Sequence, residues 1–468
     1  MAKRRGGRPG VVGVGGALVA LAYTLWTALV VATPLLGVWI ASSLAAWRGL
    51  PRTQVVLAGL VLFPLGPVLW ELVGHWRWLR KRRPRRFLTV FDRLTLRTLA
   101  LNVAFLGVLL GTQARSVFTA LSTRGDWMLE GRSGPTADSA RVALAGAAGL
   151  FEWLHEVSHP NPFRGRLTPP PPPQPRVYRT PGRLAWPLPA TVHPAVLGIP
   201  PPDEASIAAL GRFLQHRLPD PVERARAVHD YVADRVAYDV PSYRAHRYPP
   251  QDAETVFRTH LGVCAGYAHL FEALARASGL EAVYLVGEAR TGPEGTSESH
   301  AWNAVRLGGQ WYLVDTTWDA GSVDDRFQKR FGTAQLFTPP EVFNRQHLPD
   351  EARWQLVERP VDRATFLSRP ALPAEFFAQG LVLLAPDRDR LDAHGSVQLT
   401  LRNYQRRHLL AKVRREGAED RCEVTESDRT FVRCPLRAPG RWELRLYAAP
   451  EALGTHWEVL SLWVNALP

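Results

Sequence analysis

Three groups of residues in this sequence carry chemistry by type and spacing. The first is "LHEVSHPNP", residues 154–162, where His155, Glu156 and His159 have the H-E-x-x-H spacing of a zinc-protease helix. The second is Cys264 in "HLGVCAGYAHLF", followed by His300 and Asp315 in "HAWNAVRLGGQWYLVDTT". The third is the pair Cys422 and Cys434, which bracket "CEVTESDRTFVRC".

A zinc site of the first kind needs both histidines one turn apart on an unbroken helix, and a third ligand further along. Pro160 and Pro162 stop a helix at the second histidine, and the residues up to Asp220 offer only His193, His216, Asp203, Glu204 and Asp220. The stretch reads as a polar helix end. A zinc protease is the minor alternative, and no metal or other cofactor is expected.

Cys264 follows a loop containing Gly262 and opens an amphipathic helical pattern. A helix N-terminus carries partial positive charge and unpaired N–H groups, which favour a thiolate and bind an oxyanion. A small buried apolar residue is the competing reading of a lone cysteine. The hairpin 300–317 decides for chemistry: with "GG" at its turn, Leu307 faces Gln310 and Trp302 faces Asp315. His300 then lies diagonal to Asp315 on one sheet face, with Cα atoms about 7–8 Å apart. A histidine held by an aspartate is what a cysteine nucleophile requires. Trp302 shares that face, so Trp302 and Gly262 are expected to wall the substrate cleft. His269 falls about 140° around the helix from Cys264 and is expected on the surface, as is His260. "TGPEGTSES", 291–299, is a loop leading into His300.

The elements that position these residues follow from periodicity. "EASIAALGRFLQHRL" and "DPVERARAVHDYVADRV" have helical spacing, the second opened by Asp220 as N-cap with Pro221 at N1. "DAETVFRTH" and "AGYAHLFEALARASG" read as helices, and "EAVYLVGEA", "HAWNAVRL" and "QWYLVDTTW" as strands. Helices followed by strands indicate an α+β domain. From about residue 376, seven short alternating strands with turns between them suggest an Ig-like β-sandwich. Cys422 and Cys434 would face each other across a hairpin turning near Ser427 and Asp428, either as a disulfide or as two buried thiols.

Upstream, residues 160–202 are proline-rich ("TPPPPPQPR", "IPPPDE") and read as a semi-rigid stalk after a helix over 137–157. Further upstream lie apolar runs at 11–40, 54–74 and 98–112. The first two suit a bilayer; the third is short and spans only with flanking residues. A cleaved signal peptide is the runner-up for the first run. The net charge of +14 is concentrated here: residues 1–97 hold fifteen Lys and Arg against Glu71 and Asp92. "MAKRRGGR" and "RWLRKRRPRRF" flank the apolar runs, which is the positive-inside pattern rather than a nucleic-acid surface. Both clusters are expected in the cytoplasm. If the third run spans, everything after about residue 122 lies outside it, where a disulfide would be at home.

"GVCAGYAHLFEALARASGLEAVYLVG" and "HAWNAVRLGGQWYLVDTTWD" resemble the transglutaminase-like superfamily, whose papain-like core uses Cys, His and Asp in this order. "YVADRVAYD" upstream is similar to its lead-in helix, and "FTPPEVFNRQHLPDEARWQL" with the β-sandwich resembles the kyphoscoliosis-peptidase and hillarin branch. The resemblance implies that Cys264 is the nucleophile, His300 the general base and acid, and Asp315 its orienting partner.

The expected organisation is a membrane anchor of about three transmembrane helices over 1–122, a helical segment and stalk over 123–203, an α+β transglutaminase-like domain over 204–370, and an all-β Ig-like sandwich over 371–468. The expected function is that of a membrane-anchored cysteine hydrolase or crosslinking enzyme working through a thioester on a protein or peptide substrate. It would sit in the cytoplasmic membrane with its C-terminal domains outside. The alternative of a different class is an inactive adaptor that binds a protein through the same cleft.

Overall fold

The computed structural model describes residues 14–50, 52–80, 87–129, 132, 134–158, 161–164, 184–290 and 297–467. The chain divides into two compact units, Met1–Glu152 and Trp153–Pro468.

The first unit is helical: α1 (Val14–Trp47), α2 (Arg52–Leu60), α3 (Gly66–Arg80), α4 (Val90–Arg124) and α5 (Pro135–Ser158), the last crossing into the second unit. Three stretches are long and apolar enough to cross a bilayer: Thr24–Trp47, Arg52–Arg80 and Val90–Ala114. The second is interrupted at Pro64, where Phe63 leaves helical geometry (φ −160°, ψ 128°). The short third run gains its length from its flanks. Thr89 and Asp92 form a reciprocal capping box ahead of it, so the helix begins eight residues before the apolar stretch. Glu71, at the end of the second run, is paired with Arg93 at 2.8 Å and with Arg97, so its charge is compensated.

The second unit begins with packed helices: α6 (Ile207–Arg217), α7 (Pro221–Arg235), α8 (Ala253–Thr259) and α9 (Cys264–Ala277). Asp220 caps α7 as expected, accepting from the Val222 N–H at 2.9 Å, with Pro221 at N1. Five antiparallel strands follow: β1 (Glu281–Ala289), β2 (Glu298–Leu307), β3 (Gln310–Val314), β4 (Leu336–Thr338) and β5 (His347–Pro349), in spatial order β4-β3-β2-β1-β5. The β2–β3 register runs from Leu307↔Gln310 to Asn303↔Val314. Gly308 and Gly309 turn it with φ +56° and +82°, values that strain other residues. Leu270, Phe271 and Leu274 of α9 bury with Val305, Leu307 and Val314 of the sheet. That contact seats the helix, and with it Cys264, against the sheet that carries His300.

The described ends of the proline-rich segment do not stand off this domain as a stalk would. Trp186 Nε1 donates to Ala334 O at 3.0 Å, Thr333 Oγ1 to Leu188 O at 2.7 Å, and His193 N to Asp230 Oδ2 at 2.8 Å. Leu184, Leu188 and Val192, spaced between prolines, join the core cluster. Residue 160 and residues 165–183 of that segment lie outside the described residues.

The C-terminal region is all-β: β6 (Leu381–Ala385), β7 (Arg390–His394), β8 (Ser396–Asn403), β9 (His408–Arg415), β10 (Ala418–Arg421), β11 (Glu423–Glu426), β12 (Thr430–Pro435), β13 (Gly440–Ala449) and β14 (Trp457–Leu467). They form two sheets, β6-β8-β12-β11 and β7-β14-β13-β9-β10, which share one core. Nine strands stand where periodicity gives seven. The two extra ones, "RLDAH" and "AEDR", are short strands at the two edges of the five-stranded sheet; the first turns only Leu391 and Ala393 to the core, and the second has no apolar alternation. Cys422 and Cys434 are joined by a disulfide beside the Glu423↔Arg433 pair.

Arg290, directly after β1, is fully buried. Its Nη1 donates to Phe366 O at 2.6 Å and Arg369 O at 2.9 Å, and its Nη2 to Asp389 Oδ2 at 2.9 Å. Removing one partner of such a pair takes away the ion pair that offsets the burial of the other charge. Arg290→Met is expected to lower the unfolding free energy by roughly 3–5 kcal/mol, measured by denaturant titration of the intact chain in detergent. A loss below about 1 kcal/mol would show that the Arg290–Asp389 pair contributes little to stability.

Candidate active site

Val263 is extended and Cys264 is the first residue of α9, so the Cys264 amide lies in the turn whose N–H groups lack helical acceptors. The Val263 N–H is held by Gln251 Oε1 at 2.8 Å, which fixes the approach of the loop. Gly262 is buried; a Cβ there would meet Gln251 Oε1 at 3.2 Å and Val256 Cγ2 at 3.3 Å. Its smallness serves packing behind the nucleophile rather than the cleft wall.

His300 stands near the start of β2 and Asp315 one residue past the end of β3, the diagonal placement that the register gives. His300 Nε2 lies 2.7 Å from Asp315 Oδ2. That contact leaves Nδ1 of the ring free of Asp315, and the neighbouring Cys264 helps to raise the ring's pKa. A second histidine, His347 of β5, places Nε2 3.0 Å from the same Oδ2 and Nδ1 3.4 Å from Phe343 O. The other carboxylate oxygen, Oδ1, accepts from the N–H groups of Thr317 at 2.9 Å and Trp318 at 3.2 Å.

The two imidazoles have opposite electrostatics. Burial presses both toward the neutral form. For His300 it is outweighed by the Asp315 charge and hydrogen bond, with Cys264 adding to them, so its pKa is pushed up to about 10. For His347 burial prevails and the pKa falls below the ordinary histidine value, so the ring is neutral and donates from Nε2. Asp315 is fully buried yet held well below the usual carboxylate range: burial works against ionisation, and His300 and then His347 overcome it. The site therefore holds an imidazolium on an ionised carboxylate, beside Cys264. Among the described residues, His300, Asp315 and His347 also form a set whose ligand atoms lie within 4.8 Å of one another. Their 2.7 and 3.0 Å separations are those of hydrogen bonds.

Aromatic rings back the histidines. Trp302 is buried, 6.0 Å from His300 and 5.2 Å from His347 between ring centroids, so it supports the imidazole layer and offers no surface to a substrate. Trp318 lies 5.5 Å from His300 and is half-buried. His269 is not a free surface residue: its ring stacks on Tyr284 at 4.1 Å, because β1 places that tyrosine against its side of α9. His260 is exposed, in the left-handed position ending α8. Of the H-E-x-x-H group, α5 ends at Ser158; the side chains of His155 and Glu156, and the whole of His159, lie outside the described residues, as do 291–296 of the loop before His300.

Sequence reasoning missed His347 and a second buried group. His229 on α7 places Nδ1 2.8 Å from Asp230 Oδ1 and Nε2 3.0 Å from Asp319 Oδ2. Asp319 Oδ2 also accepts from the Gln335 N–H at 2.9 Å, and Gln335 O accepts from the Asp315 N–H at 3.1 Å. His229 is thus linked through two residues to the backbone of Asp315. The "DTTWD" spacing, with Asp315 and Asp319 four apart, was the available signal.

Residues 209–316 match the model of the transglutaminase-like superfamily, and this stretch is a transglutaminase-like domain. Over 217 residues the chain is 29% identical to kyphoscoliosis peptidase of Mus musculus, covering 42% of this chain and 33% of that protein. Hillarin of Drosophila melanogaster is 23% identical over 206 residues, covering 38% of this chain and 24% of that protein. The chain spans a third or less of the length of these curated relatives. Among solved structures, the periplasmic domain of TgpA from Pseudomonas aeruginosa is similar at 22% identity and a TM-score of 0.21, over 26% of this chain and 46% of that one.

Burial, the largest influence on His229, favours its neutral form but is outweighed by the hydrogen bonds and charges of Asp230 and Asp319, which bring its pKa up to about 9. A raised folded pKa gives stability that is complete below the unfolded value of about 6.5 and is lost as pH rises through about 9. Against a His229→Gln variant, the advantage of the wild type in thermal midpoint should be greatest near pH 6 and shrink by about pH 9.5. A difference independent of pH would show that His229 is neutral in the folded protein.

Proposed function

We propose that this chain is a membrane-anchored transglutaminase-like cysteine enzyme that transfers an acyl group through a thioester on Cys264. The observation that carries this reading is the His300–Asp315 contact of 2.7 Å beside a cysteine at a helix N-terminus.

The chemistry follows from those positions. With the proton already held on His300 Nδ1, the Cys264 sulfur attacks the carbonyl carbon of an amide as a thiolate. The Cys264 N–H, free of a helical acceptor, is placed to donate to the oxyanion. As the C–N bond breaks, His300 gives its proton to the leaving amine, leaving a thioester on sulfur. Water or a second amine then attacks the thioester, His300 takes its proton and keeps it, and sulfur leaves as the thiolate as the C–S bond breaks. Asp315 holds the imidazole and stabilises its charged form throughout. His347 donates to the same carboxylate oxygen from behind and so limits its rotation. The substrate class is a protein or peptide, in keeping with the peptidase among the relatives.

The three apolar helices anchor the chain in a membrane, and the basic clusters beside the first two put those ends in the cytoplasm. Three crossings then place the transglutaminase-like domain and the sandwich outside it, a location consistent with the Cys422–Cys434 disulfide. The sandwich, of Ig-like type in this reading, presents the substrate protein to the cleft.

With the full chain in detergent, Cys264→Ala should abolish turnover of peptide amides, and Asp315→Asn should lower kcat on the order of 10⁴-fold. Unchanged turnover in Cys264→Ala would remove the enzyme reading. A rate of Cys264 labelling by a thiol probe that His300→Ala leaves unchanged would favour the binding adaptor. A reporter fused after residue 468 should be active only on the extracytoplasmic side.

A further inference from the structure

Cys264 is only 2% exposed, and a short piece of chain from far upstream in the sequence lies in the apolar cluster that contains it. Phe163, 6% exposed, belongs to that cluster with Cys264, Ala265, Ala268, Tyr284, Val286 and Ala301. Its ring lies 5.3 Å from that of Tyr248.

The backbone around Phe163 is bound as a peptide would be. Tyr284 Oη donates to Phe163 O at 2.8 Å, and Asn161 Nδ2 donates to Gly287 O at 3.1 Å. Gly287 is the register partner of His300 on β1, so this contact is made one strand from the general base. Arg164 Nε lies 2.7 Å from Asp350 Oδ2. Partial burial pushes the Asp350 carboxyl above the usual range, and Arg164 opposes that shift. Asn161 also turns the chain on itself, its Oδ1 accepting from the Phe163 N–H at 3.0 Å and its O from the Arg164 N–H at 3.1 Å.

We propose that Asn161–Arg164 is an intramolecular ligand of the catalytic cleft, and that the groups holding it are the substrate subsites. Tyr284, Val286 and Tyr248 receive an aromatic side chain, Tyr284 Oη binds the carbonyl of that residue, and Asp350 binds a basic residue directly after it. The substrate class is therefore a peptide with an aromatic–basic pair, and access to Cys264 requires displacement of Phe163. This deepens the acyl-transfer reading and rests on it for the word substrate; the occupancy of the subsites does not.

The test uses the full chain in detergent with its disulfide intact, in which Cys264 is the free cysteine. Phe163→Ala should raise the rate of Cys264 alkylation by iodoacetamide at least about tenfold, given what burial of a Phe side chain is worth. Arg164→Glu, which leaves the apolar cluster untouched, should raise it several-fold by setting like charges together. Added acetyl-Asn-Pro-Phe-Arg-amide should slow alkylation of the Phe163→Ala protein, and the Asn-Pro-Ala-Arg peptide should not. Wild-type alkylation rates in both variants, or equal effects of the two peptides, would overturn the proposal. Faster alkylation and selective protection with no turnover of any peptide would sink the enzyme reading and leave the subsites standing.

Discussion

A single carboxylate oxygen organises the catalytic half of this molecule. Asp315 Oδ2 is shared by His300 and His347, and burying an ionised carboxylate is tolerable only because both histidines and two backbone N–H groups surround it. Each of those groups arrives on a different piece of chain. β2 brings His300, β5 brings His347, and the turn after β3 brings the amides of Thr317 and Trp318. The sheet order and the turn are thus constrained by one atom's need for partners. The charge asymmetry between the histidines follows: the one with Cys264 beside it holds the extra proton, and the one enclosed by Phe343, Trp302 and Trp318 does not.

The same turn is held from its far side by a second buried charge. His229, Asp319 and Gln335 form a short relay of hydrogen bonds that ends on the Asp315 backbone. Helix α7 therefore contributes to the geometry of a site that it does not line. Pairing a buried imidazolium with two aspartates is costly in desolvation and gains mainly in directionality, which suits a loop whose orientation matters more than its stability.

Much of the site was legible because a hairpin has arithmetic. Two glycines fix the turn of β2–β3, the period of two fixes the faces, and the His300–Asp315 diagonal follows without reference to the rest of the fold. His347 had no such handle. It enters on a three-residue strand whose partner, β1, lies far away in sequence, and only tertiary pairing brings it to Asp315. His229 was hidden differently: it lies inside an amphipathic helix, where a histidine among apolar residues looks like surface or filler. The proline-rich segment misled by composition, since polyproline suggests reach, while the leucines, valine and tryptophan between its prolines are what the core takes up. The edge strands of the β-region were missed because they are short and carry few large apolar residues.

The buried Arg290 bears on where this protein can be divided. Composition draws a boundary near residue 370, between the transglutaminase-like domain and the sandwich. Arg290 directly follows β1 of the catalytic sheet, yet its charge is paired with Asp389 and it donates to carbonyls of the connecting chain. The covalent seam and the energetic seam thus lie in different places. A fragment cut at the first would expose a guanidinium that folded to be hidden, so the two C-terminal regions form one unit of inheritance and of expression, despite their different architectures.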